Sequence, residues 1–289
     1  DLVRSRGLGD VYKRQIHGGV SRNVVEDIAN IELRPTFVGI VDDSALGEDV
    51  VKKLKNHKVN TDYVMTMPGG MGTWLAVFDH NGDLAGSISQ RPNLMPILGL
   101  LEEKGDEIFA NADSVIVEVD MDKDIIKKVV ALAKQYNKKL YGVVSNMSIA
   151  VERRDFLKHF DCFICNQLEA GMLFMEDYAD KSPEELRDIL SKRVILGKIP
   201  AMIVTMGGNG AVYADVNGEK GICPPQRVRV KDTTGAGDAF CAGVASGLTY
   251  GKTLSEAVEI GSRLAASVIT SSENVCPRFL PEEFGITLD

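Results

Sequence analysis

Short β-branched runs alternate with helical patterns along most of this chain, and that alternation limits the fold more than any other feature. Apolar spacing predicts helices over about residues 20–31, 46–57, 123–137, 183–196, 236–250 and 254–271. Val24, Ile28 and Ile31 show the repeat in the first of them. Strand patterns lie at about 36–41, 114–119, 140–144, 161–165 and 201–205. These runs are almost continuously apolar, which suits strands buried on both faces of a mainly parallel sheet. The expected fold class is therefore α/β, a doubly wound, mainly parallel central sheet flanked by helices. With 289 residues, 44% of them hydrophobic, the chain can bury the core such a layer needs.

One stretch breaks the rhythm. Thr73–Asp79 and Leu84–Ser89 read as two strands around the Asn81-Gly82 turn. A hairpin over about 63–90 in an α/β chain is a candidate lid over a site, or else a plain edge hairpin. Residues 1–15 fit neither period, are rich in arginine, and read as a non-native leader; the domain is expected to occupy 16–289.

The remaining bulk features narrow the function. A net charge of −8 argues against sequence-independent nucleic-acid binding. No apolar run is long enough to span a membrane, and no secretory signal is visible. Five scattered cysteines suit reduced thiols in the cytoplasm. Cys162 and Cys165 form a C-x-x-C, but on a strand they point to opposite faces and cannot easily share a metal.

The motif with most chemistry is Lys231-Asp-Thr-Thr-Gly-Ala-Gly-Asp-Ala-Phe240, leading into a helix. Gly235 and Gly237 bare the backbone where the helix starts, and the free amides of a first turn attract anions. Amides at Gly235, Ala236 and Gly237 can hold a phosphoryl group as its charge moves, and Asp238 beside them can take a proton from an attacking hydroxyl. No Gly-Lys-Ser/Thr follows, so this is not a Walker A loop.

The run Asp232–Phe240 resembles the C-terminal signature of the ribokinase-like (PfkB) family of carbohydrate and nucleoside kinases. That resemblance implies a ribokinase-like fold with a small β lid, ATP and Mg2+ as cofactors, Asp238 as catalytic base and the 235–237 amides as anion hole. Ile203-Val-Thr-Met-Gly-Gly-Asn-Gly-Ala-Val212 resembles the family's strand and turn near ATP, which implies nucleotide contacts at Thr205, Gly207, Gly208 and Gly210. Asn274 falls where relatives approach the adenine. Asn166-Gln-Leu-Glu169 resembles the family's Asn-x-x-Glu, which in relatives organises Mg2+ and phosphate largely through water. Asp232 and Thr234 match positions that bind a monovalent cation, K+ among them, in some relatives. Gly18-Gly-Val-Ser-Arg-Asn23 matches the family's sugar-contacting Gly-Gly-x-x-x-Asn, so Gly18, Gly19 and Asn23 are the implied substrate residues. Its Gly-Gly-Val-x-Arg-Asn form most resembles pseudouridine kinases. Arg22 itself reads equally well as a surface charge.

The resemblance covers residues 17–280 and starts late. Relatives carry a first strand and a lid segment upstream of the paired glycines, and residues 1–15 do not supply them, so both are expected to be missing in whole or part. Full-length relatives often dimerise through the lid. The expected activity is ATP-dependent phosphorylation of a primary alcohol on a sugar or nucleoside, with pseudouridine first and ribose, fructose, 2-keto-3-deoxygluconate or adenosine as alternatives. A truncated, inactive nucleotide-binding protein is the rival of another class. A Rossmann dehydrogenase is disfavoured, because no Gly-x-Gly-x-x-Gly joins a first strand to its helix.

Overall fold

A computed structural model gives the structure, describing residues 3–5, 9–11, 17–78 and 84–288. In chain order the elements are β1 (Val3–Ser5), β2 (Gly9–Val11), α1 (Val20–Asn30), β3 (Thr36–Val41), α2 (Ala45–Asn56), β4 (Asn60–Thr66), β5 (Thr73–Phe78), β6 (Leu84–Gln90), α3 (Pro96–Ala110), β7 (Ser114–Glu118) and α4 (Lys123–Gln135). They continue as β8 (Lys139–Val143), α5 (Met147–Ala150), β9 (Cys162–Asn166), α6 (Gln167–Phe174), α7 (Pro183–Gly197), β10 (Ala201–Thr205), β11 (Ala211–Asp215), β12 (Lys220–Cys223), α8 (Ala236–Thr249) and α9 (Leu254–Ile269).

Six strands form the main sheet in the order β12-β11-β10-β9-β8-β7. The β7, β8, β9 and β10 strands run parallel, while β11 and β12 return antiparallel at one edge. This is the expected ribokinase-like α/β architecture. Each face carries its own core. Val24 of α1, with Phe240, Val244 and Val258 of α8 and α9, packs on one face. Leu101 of α3, Ile125 of α4, and Leu186 and Leu190 of α7 pack on the other. Strand β9 shows the alternation directly: Cys162 and Ile164 join the first cluster, Phe163 and Cys165 the second. The two cysteines therefore face opposite ways, and both thiols are buried and free.

Local chemistry starts and closes the helices. Ser44 caps α2 through the amides of Leu46 and Gly47. Ser182–Glu185 and Thr253–Glu256 form reciprocal capping boxes at α7 and α9. Helices α8 and α9 approach closely because glycines meet: a methyl group on Gly243 would lie 2.7 Å from the Gly261 Cα.

Three two-stranded pairs stand outside the main sheet. Strands β1 and β2 pair antiparallel, β3 and β4 pair in parallel, and β5 and β6 form an antiparallel hairpin. The lid reading is thereby narrowed: the hairpin covers Thr73–Gln90, and residues 63–66 belong to β4, beside β3. The turn at 79–83 lies outside the described residues, as does most of the 1–15 leader. Among the described residues, no helix is long and apolar enough to cross a membrane.

Candidate active site

The C-terminal ends of the parallel strands deliver the polar residues to one edge of the sheet. Glu118 ends β7, Asn166 ends β9 and Thr205 ends β10, with Thr205 directly beside Asn166 in the register. In open α/β sheets this edge is where ligands bind. Helix α8 begins at the same edge, and its first turn carries Asp238.

The glycines of that turn divide by their surroundings. Gly235 has φ 82°, and a Cβ there would stand 2.0 Å from the Asn274 carbonyl oxygen. Any other residue would strain the turn and force the neighbouring backbone to shift. Gly237 has no atom within 4 Å of its Cβ position. Among the described residues no packing contact asks for glycine there, and the space beside it is open. Gly208, after β10, likewise has no atom within 4 Å of its Cβ position, whereas Gly207, equally open, has φ 54° and is favoured as glycine by its own backbone. Gly210 is structural, with φ 86° and the Cys223 carbonyl oxygen 2.1 Å from its Cβ position.

Asp238 is held from the opposite side by α1. Asn23 donates from Nδ2 to Asp238 Oδ2 at 2.6 Å. Burial pushes the Asp238 carboxyl up to about 6; the Glu118 and Glu169 carboxylates add to the rise, while the Asn23 hydrogen bond and the Arg22 charge oppose it. A carboxyl titrating there is ionised at neutral pH yet basic enough to accept a proton.

Gly18 and Gly19 form the turn into α1, Gly19 being its N-cap with φ 104°. Arg22 is 5% exposed and closes that turn from within, donating from Nη2 to the His17 carbonyl at 2.8 Å and from Nε to that of Gly18 at 3.3 Å. It also pairs with Glu26 and donates to Asn23 Oδ1. The surface-charge reading of Arg22 is thus corrected: the guanidinium is buried because its neighbours are acceptors.

Asn166 and Glu169 are together, but as a capping box of α6: the Asn166 amide donates to Glu169 Oε2 at 2.7 Å, and the Glu169 amide to Asn166 Oδ1 at 2.8 Å. Burial raises the Glu169 carboxyl, and Asp120 adds to the rise. No three His, Cys, Asp or Glu among the described residues lie close enough to hold a metal directly. Asp232 and Thr234 are joined by an Asx turn, the Thr234 amide donating to Asp232 Oδ1 at 2.9 Å. Asn274 lies beside Asn23. Its side chain is 5% exposed and turned inward, with Nδ2 donating to Asn23 Oδ1 at 3.0 Å and to the His17 carbonyl at 2.9 Å. These two acceptors hold its Nδ2 end.

Sequence reasoning missed the acidic residues around Asp238. Glu118 accepts from both the Ser21 amide, at 2.9 Å, and the Ser21 hydroxyl, at 2.6 Å, and burial raises its carboxyl. Asp120 accepts from the Ser145 amide at 3.0 Å and pairs with Arg91 at 2.5 Å. The signal was present in Val115-Ile-Val-Glu-Val-Asp120, where two carboxylates end an apolar strand.

Similarity to known proteins follows the same outline. The family described as pfkB family carbohydrate kinase matches residues 13–276. The chain belongs to that family. It is a carbohydrate or nucleoside kinase. This PfkB chain is 35% identical over 278 residues to guanosine-inosine kinase of Exiguobacterium acetylicum, covering 93% of this chain and 88% of that one. It is 23% identical over 264 residues to pseudouridine kinase of Escherichia coli K12, covering 88% and 80% respectively. The solved structure of Arabidopsis thaliana ribokinase complexed with ribose and ATP matches with a TM-score of 0.79 at 18% identity, covering 96% of this chain and 90% of that one. That likeness is one of fold.

Proposed function

We propose that this PfkB kinase transfers the γ-phosphoryl group of ATP to the primary hydroxyl of a ribonucleoside. The observation that carries the reading is the 2.6 Å hydrogen bond between Asn23 and Asp238, which joins the turn on the sugar side to a carboxylate set in an open glycine turn. Asp238 takes the hydroxyl proton as the substrate oxygen bonds to the γ-phosphorus. The bond from that phosphorus to the β–γ bridging oxygen breaks, and ADP leaves with the electron pair. The amides of residues 235–237 meet the charge on the moving group, and the bare space at Gly237 lets it come close. The open backbone at Gly207 and Gly208, next to Thr205, would receive the nucleotide, with Gly210 shaping the turn.

ATP bound with Mg2+ supplies the phosphoryl group and spreads its negative charge. Asn166 and Glu169 would meet the ion through water, in keeping with side chains committed to a helix cap and with the reluctance of Mg2+ to dehydrate. Asp232 and Thr234 would hold a monovalent cation such as K+. The β5–β6 hairpin would cover the substrate; Leu75 and Ile88, opposite each other across the two strands, are 56% and 71% exposed and offer it an apolar face. The five free, buried cysteines suit a reducing cytoplasm.

Two nucleoside classes have support. Purine nucleosides follow from the 35% identity to guanosine-inosine kinase, and pseudouridine from Gly18-Gly-Val-Ser-Arg-Asn23. An ADP-release assay with guanosine, inosine, adenosine, pseudouridine, ribose, fructose and 2-keto-3-deoxygluconate tests this. A nucleoside should turn over faster than any free sugar. ATP binding without turnover on any acceptor, or a preference for a free sugar, would overturn the proposal.

A further inference from the structure

A carboxamide has a donating end and an accepting end, and the surroundings of Asn23 decide which end meets Asp238. Around Asn23 Oδ1 stand the Arg22 guanidinium and, at 3.0 Å, Nδ2 of Asn274. A guanidinium only donates. Asn274 is itself oriented by the His17 carbonyl, a pure acceptor 2.9 Å from the same Nδ2. Arg22 is tied to that carbonyl as well, at 2.8 Å, and to Glu26 behind it. Two donors therefore face one end of Asn23, and its oxygen must turn to them. The opposite end, Nδ2, is left to donate to Asp238 Oδ2. Arg22, Asn23 and Asn274 are 5%, 4% and 5% exposed, so water cannot easily replace either donor.

We propose that Arg22 and Asn274 are positioning residues for the phosphoryl-transfer base: by presenting donors alone to Asn23 Oδ1, they hold the Asn23 amide with its NH2 on Asp238 Oδ2 and leave Oδ1 of the carboxylate to take the proton. This rests on the kinase function proposed above. Arg22 and Asn274 touch neither reacting atom; they act through Asn23. Glu26 supports Arg22 and is met from its other side by the partly exposed Lys53 at 3.2 Å and His57 at 3.4 Å. With one donor gone, Asn23 is free to reverse, and its oxygen would then oppose the carboxylate. The charged groups acting on Asp238 are Arg22 and Asp27 from α1, Glu118 from β7 and Glu169 from α6.

Asn274→Leu tests this cleanly, because it removes a donor without changing any charge. With aspartate labelled at Cγ with carbon-13, the Asp238 signal is identified by its loss in Asp238→Asn, and its titration is followed by NMR in the full chain. The titration should move up by about one pH unit in Asn274→Leu, as in Asn23→Leu, because both weaken a hydrogen bond to the charged form. The acidic limb of kcat should move with it while the KM for ATP stays put. Should Asn274→Leu not fold, Asn274→Ala deletes the same amide and is read in the same way. An Asp238 titration that shifts in Asn23→Leu but not in either Asn274 variant overturns the inference, and so does a loss of rate that is equal at every pH. Failure of the kinase reading looks different: Asp238→Asn would keep its turnover, whatever the titration did.

Discussion

Gly237→Ala separates what the fold needs from what the reaction needs. The added methyl group meets no protein atom within 4 Å, and the residue lies in the first turn of α8. Alanine is favoured over glycine in a helix interior by about 1 kcal/mol, and by less at an end. The variant should therefore melt at the wild-type temperature or slightly above it. In the proposed mechanism its methyl group occupies the space of the phosphoryl group, however. A displacement of about 1 Å at the reacting centre costs roughly 10²-fold in rate, close to 2.7 kcal/mol of barrier. Gly235→Ala provides the contrast. There φ is 82° and the Cβ would lie 2.0 Å from the Asn274 carbonyl oxygen. Left-handed backbone costs a non-glycine residue about 1–2 kcal/mol, and the forced shift about 1–3 kcal/mol more. At about 2–4 °C per kcal/mol in a large domain, Gly235→Ala should melt some 5–15 °C lower. Thermal melts and ADP release at saturating ATP and nucleoside read both effects. A Gly237→Ala protein with wild-type kcat would refute the claim that this turn cradles the transferred group. A Gly237→Ala protein as unstable as Gly235→Ala would refute the division between the two glycines.

Further outcomes follow from the same coordinates. Gly243→Ala should destabilise the fold by about 1–3 kcal/mol in urea unfolding, because its methyl group would lie 2.7 Å from the Gly261 Cα in the α8–α9 contact. Burial pushes the Asp27 carboxyl up to about 8, although the Cys276 amide donates to it at 2.6 Å, and its Oδ2 is buried without a hydrogen-bond partner among the described residues. The folded state thus holds the proton more tightly than the unfolded chain, so the contribution of this group to stability is fully present below about pH 4 and is lost as pH rises towards 8. Asp27→Asn should remove that loss, gaining about 1–3 kcal/mol at pH 8 in denaturant melts. Asp238, raised to about 6 by burial, must be ionised to act, so kcat should fall roughly tenfold per pH unit below 6 and level off above it.

Periodicity carried the central sheet well. The runs at 114–119, 140–144, 161–165 and 201–205 became its parallel strands, since a strand covered on both faces is apolar throughout, whereas 36–41 became β3, which pairs with β4 outside that sheet. Strand β4, in contrast, reads Asn60-Thr-Asp-Tyr-Val-Met-Thr66, half polar and beside one partner only, and its pairing with β3 is a tertiary fact. Helix α3 was legible but overlooked: Pro96 opens it, and Ile97, Leu101 and Phe109 form its buried stripe. At the site, the glycine turn and Asp238 stood out because their chemistry is local to ten residues. Which residues meet around Asp238 was hidden for the opposite reason. Glu118, Asn23 and Asn274 come from three separate parts of the chain, and only folding shows that they converge. Arg22 looked like a surface charge because its four acceptors, three of them within α1 or its turn, are visible only once the helix is built.

The claim on which the account turns is that Asp238 is the base for phosphoryl transfer. Asp238→Asn keeps the size of the side chain and, on the edge facing Asn23, an oxygen to accept its hydrogen bond, but it cannot take a proton at neutral pH. ADP release with the nucleoside acceptor and ATP binding should be measured on the same preparation. The account predicts turnover reduced by about 10²–10⁴-fold with ATP binding essentially unchanged. Turnover within a few-fold of wild type would contradict it.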